Sequence, residues 1–303
     1  MESPADRPTA EFRIIVVRVQ SRLLPRMTWY DLAMRVIILL SIFVFSGCTQ
    51  VIFQPIKKHL VDPKEFGIAY EDYYFKSHDG LTLHGWYLPA KRKKLGTVLF
   101  FHGNAQNVST HVGSVYWLPD HGYDVYIIDY RGYGKSEGVV TLPGAIADIE
   151  QSIANVLEKM PAAEKLIVMG QSLGASMSAY AAANSPQRER IKTVILVSAF
   201  SDYQSVAREF LDKHWLTWAL QWPLSLTINN DYRPLDVIGG ISPVPILIMH
   251  SENDELISYA HAKRLFSHAN DPKQLVELDG THNNWSQYPT NREKLLRYLA
   301  EIN

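Results

Sequence analysis

The chain has 303 residues, 47% of them hydrophobic and 20% charged, with a formal net charge of −1. That length accommodates one large α/β domain or two small ones, and the near-neutral balance excludes the basic footprint of a nucleic-acid-binding protein. A single cysteine, Cys48, excludes both a disulfide framework within the chain and a cysteine metal cluster.

Residues 1–33 mix arginines and acids with a short apolar run and differ in character from the rest of the chain. Met34 and Arg35 then precede an apolar run over 36–45, interrupted by Ser41 and closed by Ser46, Gly47 and Cys48. The run is about half of the ~20 residues that a bilayer-crossing helix needs, and it suits the h-region of a secretory signal. Ser-Gly-Cys after such a run resembles the lipobox of bacterial lipoproteins, with Phe45 where leucine is usual. That resemblance implies cleavage before Cys48, acylation of its thiol and attachment to a membrane of the bacterial cell envelope. The alternative is an uncleaved hydrophobic anchor. Signal peptides begin at the N-terminus, so this reading carries the expectation that translation starts at Met27 or Met34 and that 1–47 is an extension plus signal. Residues 48–66 read as a tether, with Pro55 and Pro63 arguing against regular structure, and 67–303 as the folded domain.

Strand-like alternation over 71–76 and 81–88, joined by the turn signal His78-Asp79-Gly80, predicts an antiparallel hairpin at a sheet edge. The basic stretch 91–94 reads as a solvated turn. Continuous apolar runs come next, at 97–101, 125–128, 166–169, 193–197, 244–249 and 275–278. Such runs belong to strands buried on both faces, hence to a mostly parallel sheet with helices on each side. Helices are expected over 108–118, 142–159, 173–183, 260–268 and 291–302. The stretch 201–236, which carries Trp215, Trp218 and Trp222, breaks the alternation and reads as an insertion.

The strand at 166–169 runs into Gly170-Gln-Ser172-Leu-Gly174 and then into a helix rich in small residues. A serine at the apex of a sharp strand-to-helix turn is exposed and takes an unusual backbone conformation, and flanking glycines remove the Cβ atoms that would clash. Gly-x-Ser-x-Gly in that setting marks a nucleophile elbow. A serine alcohol needs a base to take its proton and an acid to hold the base, and in an α/β-hydrolase the chain order is Ser, acid, His. Of the downstream histidines His214, His250, His261, His268 and His282, only His282 lies in a turn just past an apolar strand. His250 closes a strand but comes too early, and His261 and His268 fall on an amphipathic surface helix, where solvation is the simplest reading. Asp254 stands in the loop after the penultimate strand, at the sheet edge where sites of open α/β sheets gather. Glu252 and Glu255 compete with it, and Asp254 by itself also fits a helix cap or Asx turn. Oxyanion donors are assigned to the backbone N–H groups of Leu173 and of Asn104, in the loop after the strand at 97–101.

Two further patterns carry less. Residues 129–136 end in Gly-Lys-Ser like a phosphate-binding loop, but Asp129 stands where that loop requires glycine. Asn107 and Asn284 head glycosylation tripeptides that an envelope lipoprotein of bacteria leaves bare.

With these residues in place, the chain from about residue 70 onward resembles the α/β-hydrolase superfamily. It is most similar to membrane-anchored serine hydrolases with His-Gly-Asn-Ala-x-Asn and Asp-Tyr-Arg-Gly-Tyr-Gly-x-Ser-x-Gly, here at 102–107 and 129–138. The family's acid motif, His-Gly-x-x-Asp, maps onto 250–254 with Ser251 in place of the glycine. The resemblance implies an α/β-hydrolase fold with an antiparallel N-terminal hairpin and a small lid at 201–236. It also implies acyl transfer by Ser172, Asp254 and His282 without metal or cofactor. Relatives include monoacylglycerol lipases, protein depalmitoylases, carboxylesterases and, more distantly, serine peptidases. The expected activity is hydrolysis of an ester or thioester, on a small-molecule or lipid acyl substrate; the alternatives are a serine peptidase and an inactive envelope scaffold.

Overall fold

The computed structural model describes residues 52–302 apart from 214 and 216. The signal-like run and Cys48 lie outside the described residues. Ten strands are described: β1 (Gln54–Pro55), β2 (Glu71–Lys76), β3 (Thr82–Leu88), β4 (Gly96–Phe101), β5 (Ala105–Gln106), β6 (Tyr123–Asp129), β7 (Leu166–Gln171), β8 (Ile191–Val197), β9 (Ile246–Ser251) and β10 (Lys273–Leu278). Eight of them form one sheet in the order β10-β9-β8-β7-β4-β6-β3-β2. Pairing is parallel from β10 through β6. It turns antiparallel where β3 meets β6 and β2 meets β3, the hairpin expected from the alternation.

Period-two geometry sends neighbouring residues to opposite faces of the sheet. Leu99 and Phe101 of β4 and Val168 of β7 pack on one side, while Val98, Phe100, Ile167 and Met169 pack on the other. Both sides are covered, so the central strands are buried throughout, whereas the edge strands β2 and β10 alternate or are half-exposed. Helices α2 (Leu142–Lys159), α3 (Leu173–Asn184) and α7 (Tyr259–His268) bury Ile149, Ile153, Met177 and Leu265 against the first face. Helix α8 (Pro289–Glu301) buries Leu295 and Leu299 against the second. Each such side chain contributes about 1.5–3 kcal/mol of burial.

Two expectations differ from the structure. The helix expected over 108–118 is one turn, α1 (Val108–His111), followed by 3-10 segments at Val112–Ser114 and Leu118–His121. Gly113 weakens a helix interior, and Pro119 disfavours helical geometry at Leu118. The tether is not irregular throughout. β1 pairs in parallel with β5, and the Ile56 N–H continues the ladder to the Gln106 carbonyl at 3.2 Å. Asn107 Nδ2 donates to the carbonyls of Ile56 (2.7 Å) and Lys58 (2.8 Å), and the Leu60 N–H donates to Ser109 Oγ at 2.9 Å. Pro55 is tolerated because this two-residue pair stands at an edge. The Asn107 side chain, fully buried and bonded on both ends, also accepts from the Ser109 N–H.

The loop after β6 is held by one buried ion pair. Arg131 donates through its backbone N–H and its Nε to Asp148 Oδ2, both at 2.9 Å, and through Nη2 to Oδ1 at 2.7 Å. Its Nη1 reaches Asp79 Oδ2 at 2.8 Å. Asp148 is fully buried on α2. Asp148→Ala leaves Asp79 as the remaining carboxylate partner of that guanidinium and should cost about 3 kcal/mol, the low end for breaking a buried pair, read as a lower urea midpoint at unchanged slope.

Candidate active site

The elbow is built by backbone proximity. β7 ends at Gln171 and α3 begins at Leu173, which leaves Ser172 between them at φ 55, ψ −121. A non-glycine residue there stores about 1–3 kcal/mol of strain, which the surrounding packing holds. A Cβ on Gly170 would stand 2.6 Å from the backbone of Ala175, and one on Gly174 would fall on the carbonyl oxygens of Phe101 and His102. The glycines thus let the elbow, the first turn of α3 and the end of β4 share one spot. The Ser172 N–H donates to the Val197 carbonyl at 2.8 Å, and its own carbonyl accepts from the Ser176 N–H at 3.1 Å.

The loops after β9 and β10 meet at the same edge of the sheet. His282 Nδ1 lies 2.7 Å from Asp254 Oδ2, which leaves Nε2 as the free ring nitrogen. Asp254 Oδ1 accepts from the N–H groups of Leu256 (2.9 Å) and Ile257 (2.8 Å). The Asx-turn role and the histidine-orienting role are therefore both filled, one by each carboxylate oxygen. The side chain is buried. Burial alone would raise its pKa, but the hydrogen bonds from His250 and His282, the His282 charge and the Ile257 N–H hold it well below the usual carboxylate range.

Glu255, a competitor for the acid, accepts instead from the His282 backbone N–H at 3.1 Å, and Glu252 is exposed. Gln171, next to the apex serine, ties the two halves together. Its Nε2 donates to the His282 carbonyl at 3.4 Å and its Oε1 accepts from Ser114 Oγ at 2.8 Å.

Asn104 sits in the loop after β4, beside the elbow. A Cβ on Gly103 would stand 3.5 Å from the Ser172 Cβ. The Asn104 side chain accepts from the Gln54 N–H at 3.0 Å, and its carbonyl accepts from Tyr133 Oη at 2.5 Å. The Leu173 N–H opens α3, where helical geometry supplies it no partner. The structure thus gathers Ser172, Leu173, Asn104, Asp254 and His282 on loops at the C-terminal ends of β4, β7, β9 and β10. Cys48 lies outside the described residues.

Three histidines depart from or extend the sequence reading. His261 is not solvated but fully buried, because α7 turns it under the 201–212 segment. Its Nδ1 accepts from the Ser201 N–H at 3.0 Å, and its Nε2 stands 3.1 Å from Glu209 Oε1. His268 is exposed. His250, which closes β9, packs behind Asp254, with Nε2 2.9 Å from the Ile257 carbonyl and 3.3 Å from Asp254 Oδ2. Its place four residues before Asp254 was the available signal. His111, which no motif marked as important, is half-buried against the loop after β4 with Nε2 2.8 Å from the Ala105 carbonyl. Burial and the neighbouring His102 push its pKa down to about 3, so it stands there as a neutral imidazole.

The stretch 201–236 folds as α4 (Tyr203–Asp212), a 3-10 turn at Trp218–Leu220, α5 (Gln221–Ser225) and α6 (Pro234–Val237). Trp215 is 83% exposed, and Trp218, Trp222 and Leu226 are exposed with it. The stretch also touches the acid loop. Lys213 Nζ donates to the Glu255 carbonyl at 2.5 Å, and the Ser258 N–H donates to Glu209 Oε2 at 3.1 Å.

The lowered pKa of Asp254 has a signed consequence for stability. A carboxylate depressed in the folded state stabilises above its unfolded value of about 4, and that contribution is lost as pH falls below it. The stability difference between wild type and Asp254→Asn should therefore be largest at neutral pH and shrink progressively as pH falls below about 4, as read from denaturant midpoints at each pH.

Known proteins resemble this chain in sequence and fold. A family model described as Hydrolase_4, serine aminopeptidase, S33, matches residues 92–234. YfhR of Escherichia coli K12, itself named as uncharacterized, is 31% identical over 218 residues, which cover 70% of this chain and 73% of that one. The α/β-hydrolase domain-containing protein WAV2 of Arabidopsis thaliana is 26% identical over 223 residues, 70% of this chain and 71% of WAV2. Among solved structures, the Pyrococcus furiosus esterase Pf2001 superposes with a TM-score of 0.65 at 18% identity, covering 82% of this chain and 100% of the esterase, a likeness of fold. With the sheet order, the elbow and this extent of identity together, the chain belongs to the α/β-hydrolase superfamily, in the same family as YfhR.

Proposed function

We propose that the protein is a serine hydrolase that cleaves carboxylic esters or thioesters of apolar acyl groups through an acyl-enzyme on Ser172. The observation that carries the reading is the buried Asp254–His282 hydrogen bond of 2.7 Å on the sheet edge where the strained Ser172 projects. In this mechanism Ser172 Oγ attacks the carbonyl carbon while His282 Nε2 takes its proton, and Asp254 stabilises the imidazolium through Nδ1. The Asn104 and Leu173 N–H groups hold the oxyanion, each worth about 3–4 kcal/mol in the transition state. His282 then protonates the leaving alcohol or thiol, and water releases the acyl group by the reverse proton route.

The exposed Trp215, Trp218 and Trp222 on the 201–236 stretch, which acts as the lid in this reading, support an apolar acyl substrate. The description of the matching family favours a second reading, a serine peptidase. A fluorophosphonate probe should label the wild type and leave Ser172→Ala unlabelled; an unlabelled wild type would instead make the protein a scaffold. Turnover of a panel of acyl esters, thioesters and peptide amides should favour the esters and thioesters, and Ser172→Ala and His282→Ala should each lower kcat/KM by about 10⁴-fold or more. Faster cleavage of the amides would establish the peptidase.

Membrane attachment belongs to the same proposal. Among the described residues no helix is long and apolar enough to cross a membrane, so in this reading attachment falls to the run at 36–45 and to acylated Cys48. Metabolic labelling with palmitate in a bacterial host should mark the wild type and not Cys48→Ala. Labelling retained in that variant would exclude lipidation at Cys48.

A further inference from the structure

Beneath β1 and its continuation, outside the catalytic constellation, three buried polar atoms face one another without a hydrogen-bond partner: His59 Nε2, His84 Nδ1 and Asp129 Oδ2. Nε2 of His59 stands 3.9 Å from Oδ2 and Nδ1 of His84 stands 3.7 Å from it, beyond hydrogen-bonding range. All three lie within 4.8 Å of one another. Tetrahedral zinc with bonds of about 2.0–2.1 Å sets its ligand atoms about 3.3–3.4 Å apart; the two histidine–carboxylate distances exceed that by a few tenths of an ångström, and rotation of the partly exposed His59 ring would close the wider spacing between the two imidazoles.

The surroundings orient two of the three ligand atoms, those of His84 and Asp129, toward that point. His84 Nε2 lies 2.7 Å from Asp72 Oδ1, so the proton sits on Nε2 and the Nδ1 lone pair is left for the interior. A carboxylate behind an imidazole is the arrangement that fixes the tautomer of metal-bound histidines. Trp86 Nε1 and Lys135 Nζ hold Asp72 in place at 3.2 and 3.1 Å. Asp129 Oδ1 is engaged by the Val108 N–H at 2.9 Å, with His102 Nε2 3.3 Å away, which leaves Oδ2 for the cluster. Gly134 keeps the space open: a Cβ there would fall on Asp129 Oδ2 and within 3.3 Å of His59 Nε2. His59, 19% exposed, gives an ion its way in, while His84 and Asp129 are fully buried.

We propose that His59 Nε2, His84 Nδ1 and Asp129 Oδ2 form a structural site for a divalent ion of the zinc type, with water as fourth ligand and Asp72 as the positioning carboxylate. Two imidazoles and one carboxylate suit zinc or cobalt better than calcium or magnesium, which favour all-oxygen cages. The site joins the segment after β1 to the end of β6, and through Val108 to the helix that follows the Asn104 loop. It is separate from acyl transfer, which the proposed function runs without metal.

The test uses the full chain, stripped with chelator and titrated with Zn²⁺, and in parallel with Co²⁺, whose visible bands report four-coordinate binding. One equivalent of either ion per chain is expected, with a higher melting temperature in Zn²⁺. His59→Ala lies on a partly exposed segment and should retain the wild-type circular dichroism while losing the stoichiometric ion and the Zn²⁺-dependent rise. Asp72→Asn should weaken binding about 10- to 100-fold, and His268→Ala, on the exposed end of α7, should change nothing. Absence of one-equivalent binding in the wild type would overturn the proposal and leave a hydrated imidazole–carboxylate cluster only. Undiminished binding in His59→Ala would overturn it as well.

Discussion

The carbonyl oxygens of Phe101 and His102 lie against the Cα of Gly174. That contact brings the end of β4 within touching distance of the first turn of α3, and much of the site geometry depends on it. It sets Gly103 beside Ser172, so the loop after β4 and the helix start after β7 face a common point from two sides. It also forces the sharp turn at Ser172, since α3 can approach β4 so closely only if the chain reverses within one residue. The strain at φ 55 is therefore a consequence of packing between neighbouring parallel strands, held by the Val197 and Ser176 hydrogen bonds on either side of the serine.

Two buried aspartates divide their oxygens in the same way. Asp254 uses Oδ1 to hold its own loop and Oδ2 to hold His282. Asp129 uses Oδ1 to hold α1 through Val108 and turns Oδ2 toward His59 and His84. A carboxylate offers about four lone-pair sites, and burial makes each unfilled one costly. One residue can thus fix a loop with one oxygen and orient imidazoles with the other. Asp254 leaves no polar atom among the unpartnered, whereas Asp129 leaves Oδ2 there. That difference is what separates a completed hydrogen-bonded pair from a cluster of ligand-type atoms.

Much of this was legible in the sequence because it is local. Continuous apolar runs mark strands covered on both faces, and the observed strands enclose most of each run, extending toward residues such as Gln171 and Asp129 whose polarity hid them. Helix α2 matches because Thr141 caps its start and an apolar stripe continues to Leu157. Chain order selected Asp254 and His282, and the two are in hydrogen-bond contact. What was not legible depends on contacts far along the chain. His261 reads as a surface residue from its own helix, and only the Ser201–Asp212 segment, about fifty residues earlier, buries it. The hydrogen bonds of Asn107 to Ile56 and Lys58 likewise join segments about fifty residues apart, with no periodicity to announce them. His59, His84 and Asp129 are spread over three elements, and their spacing resembles no metal-ligand motif.

The same long-range contacts give the segment at 54–60 a role that a tether would not have. It supplies the N–H that Asn104 Oδ1 accepts, a parallel partner for β5, and carbonyls for Asn107 and for the Gly134 N–H at 3.1 Å. Loops are usually held by their own ends, but the loop after β4 is held by a strand from outside it. Because Asn104 is fixed through its side chain by Gln54 and through its carbonyl by Tyr133, its backbone N–H has little freedom to reorient. Donors aimed before the reaction begins cost no reorganisation during it. The residues at 54–60 therefore belong physically to the loop after β4, and the folded unit starts earlier than its apolar strands suggest.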